Sequence, residues 1–298
     1  MFSLPKAERP GDEKKEVRER MNRSFLLKTI AAIIVSGLLA LPVLAGGLPK
    51  PTSKKPEAQK LIDQAWALEK KDSNAEIYKQ CIALMEKANQ IDPNNPGILT
   101  DLARYWWNYG DNLPKQTAEQ KKRLEGIYEK GMAYAEKSLK IKETSGGHYW
   151  YAVNKAASLE FSSMISQAAA FPSIYKHSQW VTDHEPNYYY GAPGRLWSEV
   201  LTRVPKKVVE MVHWNVQEAV DEINKAIKIE PRYFDNYVYK ARFLYKYFGN
   251  KQEALKLLDY VLKQSPNVFP EEITANKVSQ RDARILWKQI TGKEYPAK

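Results

Sequence analysis

Four histidines (His148, His177, His184, His213) and one cysteine (Cys81) are the side chains from which a metal or nucleophilic site would be built. No two of these histidines stand four apart on a helix, and His177 to His184 spans about two turns, so the spacing supports no helical zinc site. Cys81 occupies a small-residue packing position, which reads as a buried, inert thiol. With no second cysteine, an internal disulfide framework and a four-thiolate zinc site are both excluded. There is no Gly-rich phosphate loop, no G-x-S-x-G elbow and no H-E-x-x-H. The adjacent carboxylates Glu271 and Glu272 fall at a helix start, where the dipole accounts for them. The expectation is a protein that is not an enzyme, with no catalytic residues, no metal and no cofactor.

What remains is aromatic and cationic chemistry. The chain holds 18 Tyr, 8 Trp and 8 Phe against only 14 Gly. Tyr105, Trp106, Trp107 and Tyr109 crowd one segment, and Tyr149, Trp150 and Tyr151 another. On helical spacing Trp106 belongs to the packing stripe, whereas Tyr105, Tyr109 and Trp150 lie off it. Off-stripe rings offer apolar area with a polar handle, either to a ligand or to a neighbouring helix. Arg195 is the sharpest candidate. It stands at a helix start, where a cation meets the positive end of the dipole. A guanidinium there needs a dedicated partner, either a ligand anion or a carboxylate such as Glu199 one turn on. Tyr188, Tyr189 and Tyr190 precede it and form either the lip of a cleft or a solvated loop. The candidate ligand-binding set is Tyr105, Tyr109, Tyr149, Trp150, Tyr190, Arg195 and Trp197, with Gly191, Pro193 and Gly194 shaping the turn.

The elements that must position these residues repeat. Ala219, Ile223, Ala226 and Pro231 follow spacings that recur at Ala254, Leu258, Val261, Pro266 and at Cys81, Met85, Ala88, Pro93. Small, large and small residues followed by a helix-stopping proline match the second helix of a tetratricopeptide-type (TPR) hairpin. Leu99, Leu102, Ala103 and Trp106 supply a first-helix face, closed by Gly110-Asp111. Further helices are predicted near 57–71 and 117–143 and around Tyr149–Ala156. A degenerate repeat at Ile174, Ser178, Val181 and Pro186 continues the series, and Ala283, Leu286, Trp287 and Ile290 cap the open end. The predicted fold is all-α: a TPR-like, right-handed array of about five helical hairpins plus a capping helix.

Length and composition fit one such domain. The chain has 298 residues, 43% of them apolar, and a mean hydropathy of -0.57, which excludes a disordered chain and a multi-span membrane protein. Residues 1–20 are polar and read as an over-extended N-terminus, with Met21 the true start. Residues 21–45 carry a basic start, an apolar run from Thr29 to Leu41 and small residues before Gly46, the order of a signal peptide, either cleaved or retained as an anchor. Residues 46–56 read as a proline-stiffened linker, and 57–298 as the helical domain. The 46 Lys and Arg against 35 Asp and Glu give +11, but the cations are spread out with no Arg-rich stripe, so nucleic acid is not an expected partner.

The segment from Tyr188 to Trp197 (Tyr-Tyr-Tyr-Gly-Ala-Pro-Gly-Arg-Leu-Trp), with Tyr149-Trp150-Tyr151-Ala152 before it, resembles the T-component (TatT-like) family of TRAP transporters, which pairs a YW-A helix with a Y-G-G-P-x-R loop. The likeness runs from about Leu61 to Ile290. Ala192 replaces the loop's second glycine, and a Gly stands where a lipidated Cys would anchor the chain. The resemblance implies a periplasmic accessory protein that holds a hydrophobic or amphipathic small molecule and partners a transporter substrate-binding protein, with a homo-oligomer possible. The alternative is a general TPR scaffold for protein–protein interaction in the periplasm.

Overall fold

A computed structural model describes residues 46–296; the polar N-terminus and the signal-like segment expected at 1–20 and 21–45 lie outside the described residues. Twelve α-helices follow one another: α1 (Pro56–Glu69), α2 (Ala75–Ile91), α3 (Pro96–Asp111), α4 (Ala118–Ile141), α5 (Ser145–Ser158), α6 (Met164–His184), α7 (Ala192–Arg203), α8 (Lys206–Met211), α9 (Val216–Ile229), α10 (Phe234–Phe248), α11 (Lys251–Lys263) and α12 (Ile273–Thr291). Among the described residues there is no strand, and no helix is long and apolar enough to cross a membrane.

Local chemistry explains the boundaries. Asn74, Asn95, Thr117, Thr144, Ser163, Asn215 and Asn250 each cap a helix by accepting a backbone N–H, and Thr117 with Gln120 forms a reciprocal capping box. Consecutive helices pack on one another from α1 through α6, then α7 rests on α9 and α10, and α12 closes against α10 and α11. The nine repeat positions Cys81, Met85, Ala88, Ala219, Ile223, Ala226, Ala254, Leu258 and Val261 are all fully buried. Small residues at these positions let the facing helix approach.

Two features depart from the predicted array. The chain beyond Pro205 forms the short helix α8 before α9 begins, and α6 runs through Pro172 without a break. The stretch 46–55, expected as a linker, is extended and lies along the helices. Its Gly46 carbonyl accepts the Tyr190 N–H at 2.9 Å, Leu48 packs on the central apolar cluster, and Asn95 donates to the Thr52 carbonyl at 2.8 Å.

Candidate functional site

The tyrosine–glycine–proline–arginine segment makes a strained turn. Tyr188–Tyr190 is one turn of 3-10 helix, and Tyr189, Tyr190 and Gly191 take φ of 43°, 57° and 81°. Non-glycine residues held in this region cost on the order of 1–3 kcal/mol each, so their surroundings must over-determine them. Arg195, in the first turns of α7, is what holds them. Its Nη2 donates to the Tyr189 carbonyl at 2.5 Å, and its Nη1 to the Tyr190 carbonyl at 3.2 Å and to Asn236 Oδ1 at 2.6 Å. Its Nε lies 3.6 Å from Asp235, and the guanidinium sits over the rings of Tyr189 and Tyr233.

The two partners expected for Arg195 were a ligand anion or Glu199; the structure gives it neither. Its partners are backbone carbonyls, an amide and Asp235. Burial alone would lower the Arg195 pKa, but Tyr233, Tyr149 and Asp235 more than offset it, so the group stays charged. Burial pushes the Asp235 carboxyl up to about 6, with Arg195 pulling the other way.

The motif glycines serve helix packing. A Cβ on Gly194 would meet the Glu222 carbonyl oxygen at 2.5 Å, and one on Gly191 would meet Ala226 Cβ at the same distance. Both residues therefore let α7 press against α9, with Pro193 at the start of the helix. Of the two, only Gly191 uses the positive φ that glycine permits.

A cleft opens on the other side of α7. Its cavity volume is about 70 Å³, it is partly open to solvent, and its lining is predominantly apolar. Tyr149, Val153 and Ala156 of α5, Phe171 and Ile174 of α6, Leu196 and Val200 of α7, and Val208 and Val209 of α8 line it, with Trp107 of α3 and Tyr239 of α10. Tyr149, Arg195 and Leu196 are buried, whereas Leu159, Glu160, Arg203 and Val204 are partly exposed. From Arg195 to Arg203 is eight residues of helix, about 12 Å.

An ion network borders the partly exposed end. Glu199 accepts from Arg203 Nε at 2.6 Å and from Arg242 Nη1 at 2.9 Å. Arg203 also donates to Glu160 at 2.6 Å and to Asp111 at 3.3 Å, and Lys115 reaches Glu160 at 3.5 Å. Burial works against the Glu199 carboxylate, but Arg203 and Arg242 outweigh it and hold its pKa well below the usual range.

The other candidate residues are dispersed. Tyr149 and Arg195 line the cleft. Trp150 is buried beside it, in contact with Trp107 and Tyr149, and Trp197 packs behind the lining residue Phe171, with Tyr175 and Trp214. Tyr190 packs with Tyr233 and Phe269 and donates to Glu272 at 3.0 Å. Tyr105 and Tyr109 belong to the first hairpins. Tyr105 is fully buried, with its hydroxyl donating to Glu69 at 3.1 Å and its ring under Arg104. Tyr109 packs edge-on to Trp106 and accepts from Arg123. On α3, Tyr105 takes the second of the two roles left open for it, packing against neighbouring helices, and Trp106, read as core, packs against two apolar clusters while staying partly exposed beneath Lys130. The reason is that α3 packs on α2, α4 and α5, so more than one of its faces is buried.

The cleft residues Leu196, Val200, Val204 and Val208 were not singled out from sequence, although they recur every fourth position. Nor was a histidine pair. His148 of α5 and His177 of α6 approach with their Nδ1 atoms 2.9 Å apart, His148 stacks on Trp180, and His177 stacks on Tyr151. Burial pushes both imidazoles down to about 4, so they are neutral at pH 7. No group of three or more metal-ligating side chains occurs among the described residues.

With this geometry in place, the sequence profile of the family described as "Regulator of microtubule dynamics protein 1-3" matches residues 61–283. The chain belongs to that family. No curated protein matches it. The match spans α1 to α12, including the tyrosine–arginine turn and the cleft, and it overturns the resemblance to TRAP T-components drawn from that turn. The periplasmic transporter-accessory role falls with the resemblance, and the alternative of a general TPR scaffold gains no support from the family either. The physical source of the error is visible in the turn itself: its glycines and arginine solve a packing problem between α7, α9 and α10, and such a solution does not specify a transporter.

Proposed function

We propose that this member of the regulator of microtubule dynamics family binds a mainly apolar small molecule in the cleft between α5, α6, α7 and α8. The observation that carries the reading is the hollow itself: a cavity of about 70 Å³, partly open to solvent, bounded largely by Val, Leu, Ile, Ala and aromatic side chains. A few polar groups at one end of an apolar hollow are what a ligand with a greasy body and a polar end requires. Here those groups are Glu160, Glu199 and Arg203. Those three are paired with one another, as Arg195 is paired with its own neighbours, so a ligand's polar end must compete with partners inside the chain.

The test is direct. The purified full chain is denatured and extracted with organic solvent, and the extract is analysed by mass spectrometry against a Val200→Trp variant. An indole at position 200 fills the hollow, so the variant should keep its circular dichroism and lose the co-purified molecule. An extract from the native chain that contains no such molecule, combined with no uptake of added fatty acid, refutes the reading.

The family description supplies a second reading, action on microtubule assembly. One observation leans its way: the +11 net charge suits an acidic polymer surface. Pelleting with polymerised tubulin that declines as salt is raised supports it, and no pelleting at low salt removes it.

A further inference from the structure

A ligand that prefers hydrocarbon to water must enter the cleft from somewhere, and the surface around its exposed end carries an unusual concentration of apolar side chains. Leu159 and Glu160 line the cleft, and the residues that follow at once are Phe161, Met164 and Ile165, all exposed, Ile165 to 74%. Residues 159–163 are the five-residue link from α5 to α6, Met164 and Ile165 open α6, and the link is pinned from beneath. Gln167 donates to the Leu159, Glu160 and Ser162 carbonyls, so the apolar tips stand out from an ordered loop. Two more exposed apolar residues belong to the neighbouring elements. Met211 ends α8, which lines the cleft through Val208 and Val209, and Phe248 ends α10. The Lys206 ammonium lies 4.9 Å from the Tyr247 ring, which brings the start of α8 beside the end of α10.

Charge around these side chains has one sign in excess. Residues 111–123, 159–166 and 203–212 together hold seven Lys and Arg (Lys115, Lys121, Lys122, Arg123, Arg203, Lys206, Lys207) against four Asp and Glu. Two of those acids, Asp111 and Glu160, are already paired with Arg203. Lys121 stands over the Phe161 ring, so a cation and an apolar tip occupy the same spot. Exposed apolar side chains among lysines match the interfacial zone of an anionic bilayer, which takes up the former in its acyl boundary and attracts the latter to its headgroups.

We infer that the α5–α6 loop, with the ends of α8 and α10, is a docking face for an anionic lipid membrane, placed at the mouth of the apolar cleft so that a ligand passes between bilayer and protein without crossing water. The inference rests on the ligand-binding reading above and deepens it. Charge complementarity and direct continuity with the cleft mouth favour a bilayer over another occupant.

The experiment places an environment-sensitive fluorophore beside the loop, in the first turn of α6 of the full chain, through Ile165→Cys. Cys81 is buried, with its thiol pushed up to about 12 by desolvation, so it does not compete for the label. A second label at Lys140→Cys serves as reference. Lys140 lies at the far end of α4 from Lys121, about 29 Å away along the helix. Local emission is read because the apolar run at Thr29–Leu41 could bring the whole chain to a vesicle. The expected result is a blue-shifted, brightened signal at position 165 with phosphatidylcholine–phosphatidylserine vesicles. The signal should be lost at high salt, weakened by Lys206→Glu with Lys207→Glu, and absent at position 140. A silent label at 165, an equal response at 140, or an equal response to pure phosphatidylcholine overturns the docking face. Extracting the same preparations separates the two readings. A co-purified ligand with a silent label defeats docking alone, whereas a responsive label on a chain that neither carries nor takes up a ligand leaves docking standing and defeats the ligand reading.

Discussion

Replacing Arg195 by Met tests whether the guanidinium is an internal clamp. Met keeps the aliphatic body of the side chain and removes three charged donors, leaving the Tyr189 carbonyl and Asp235 without the cation. A hydrogen bond to a charged group is worth about 1.5–3 kcal/mol, but the three share one group and do not add independently. Breaking a buried charged pair by removing one partner costs about 3–5 kcal/mol. The strain at Tyr189 and Tyr190 then has less to hold it. The expected loss is about 4 kcal/mol, which for a domain of this size lowers Tm by roughly 8–16 °C. Differential scanning calorimetry and denaturant titration followed by circular dichroism both read it. Adding Asp235→Asn should recover part of the loss, because the stranded carboxylate is removed. Asp235 has a folded pKa raised to about 6, so burying its charged form costs stability as pH rises from about 4 to 6. Without Arg195 that cost should grow. A change in Tm too small to measure, or a variant of native stability that loses a bound apolar molecule, refutes the clamp and returns Arg195 to the role of anion anchor.

Gly194→Ala should destabilise by about 1–3 kcal/mol, because its Cβ meets the α9 backbone at Glu222 and Ile223, which cannot rotate aside; thermal melts measure the loss. Glu199→Gln leaves Arg203 and Arg242 facing a neutral amide and should cost about 3 kcal/mol at pH 7 by urea titration. Since the folded pKa of Glu199 is depressed, that difference should shrink as pH falls through and below 4.5. The histidine pair has the opposite chemistry. The folded pKa values near 4 lie below the unfolded 6.5, so the unfolded chain binds more protons and stability falls as pH drops from 6.5 toward 4. The slope is at most ~1.4 kcal/mol per pH unit for each proton. His177→Phe should flatten the fall in denaturant midpoint relative to the native chain, and an unchanged pH profile counts against the pair. Reading the difference between the two chains removes the opposing contribution of Asp235.

The repeat was legible because nine positions with one spacing pattern all had to be small or close-packed, and helix contacts every three or four residues impose that on sequence directly. Single-face reasoning worked at helices with one buried stripe and was incomplete at α3, where packing on α2, α4 and α5 buries Tyr105 as well as the stripe to which Trp106 belongs. The cleft was harder to see. Its walls come from α3, α5, α6, α7, α8 and α10, and no spacing rule links Trp107 to Val208. Only the fourfold register of Leu196, Val200, Val204 and Val208, continued across Pro205, carried a trace of it. The histidine pair was invisible for a similar reason: ligand-spacing rules look within one helix, and His148 and His177 meet across two.

The turn around Arg195 shows why a motif can be specific in sequence and silent about function. Each of its residues answers a local demand. Gly191 supplies a positive φ and admits Ala226, Gly194 admits the α9 backbone, Pro193 opens α7, and Arg195 satisfies the carbonyls that the strained tyrosines leave facing inward. Any helical array that folds one helix tightly onto another after such a turn faces the same demands and can reach the same residues. The cleft is formed by other residues of α7, Leu196 and Val200, which line it without taking part in the turn. A substitution at one of them that leaves the turn intact therefore separates what the turn does for the fold from what the cleft does for a ligand. Val200→Trp and Arg195→Met should divide accordingly, the first removing ligand at native stability and the second lowering stability across the whole array.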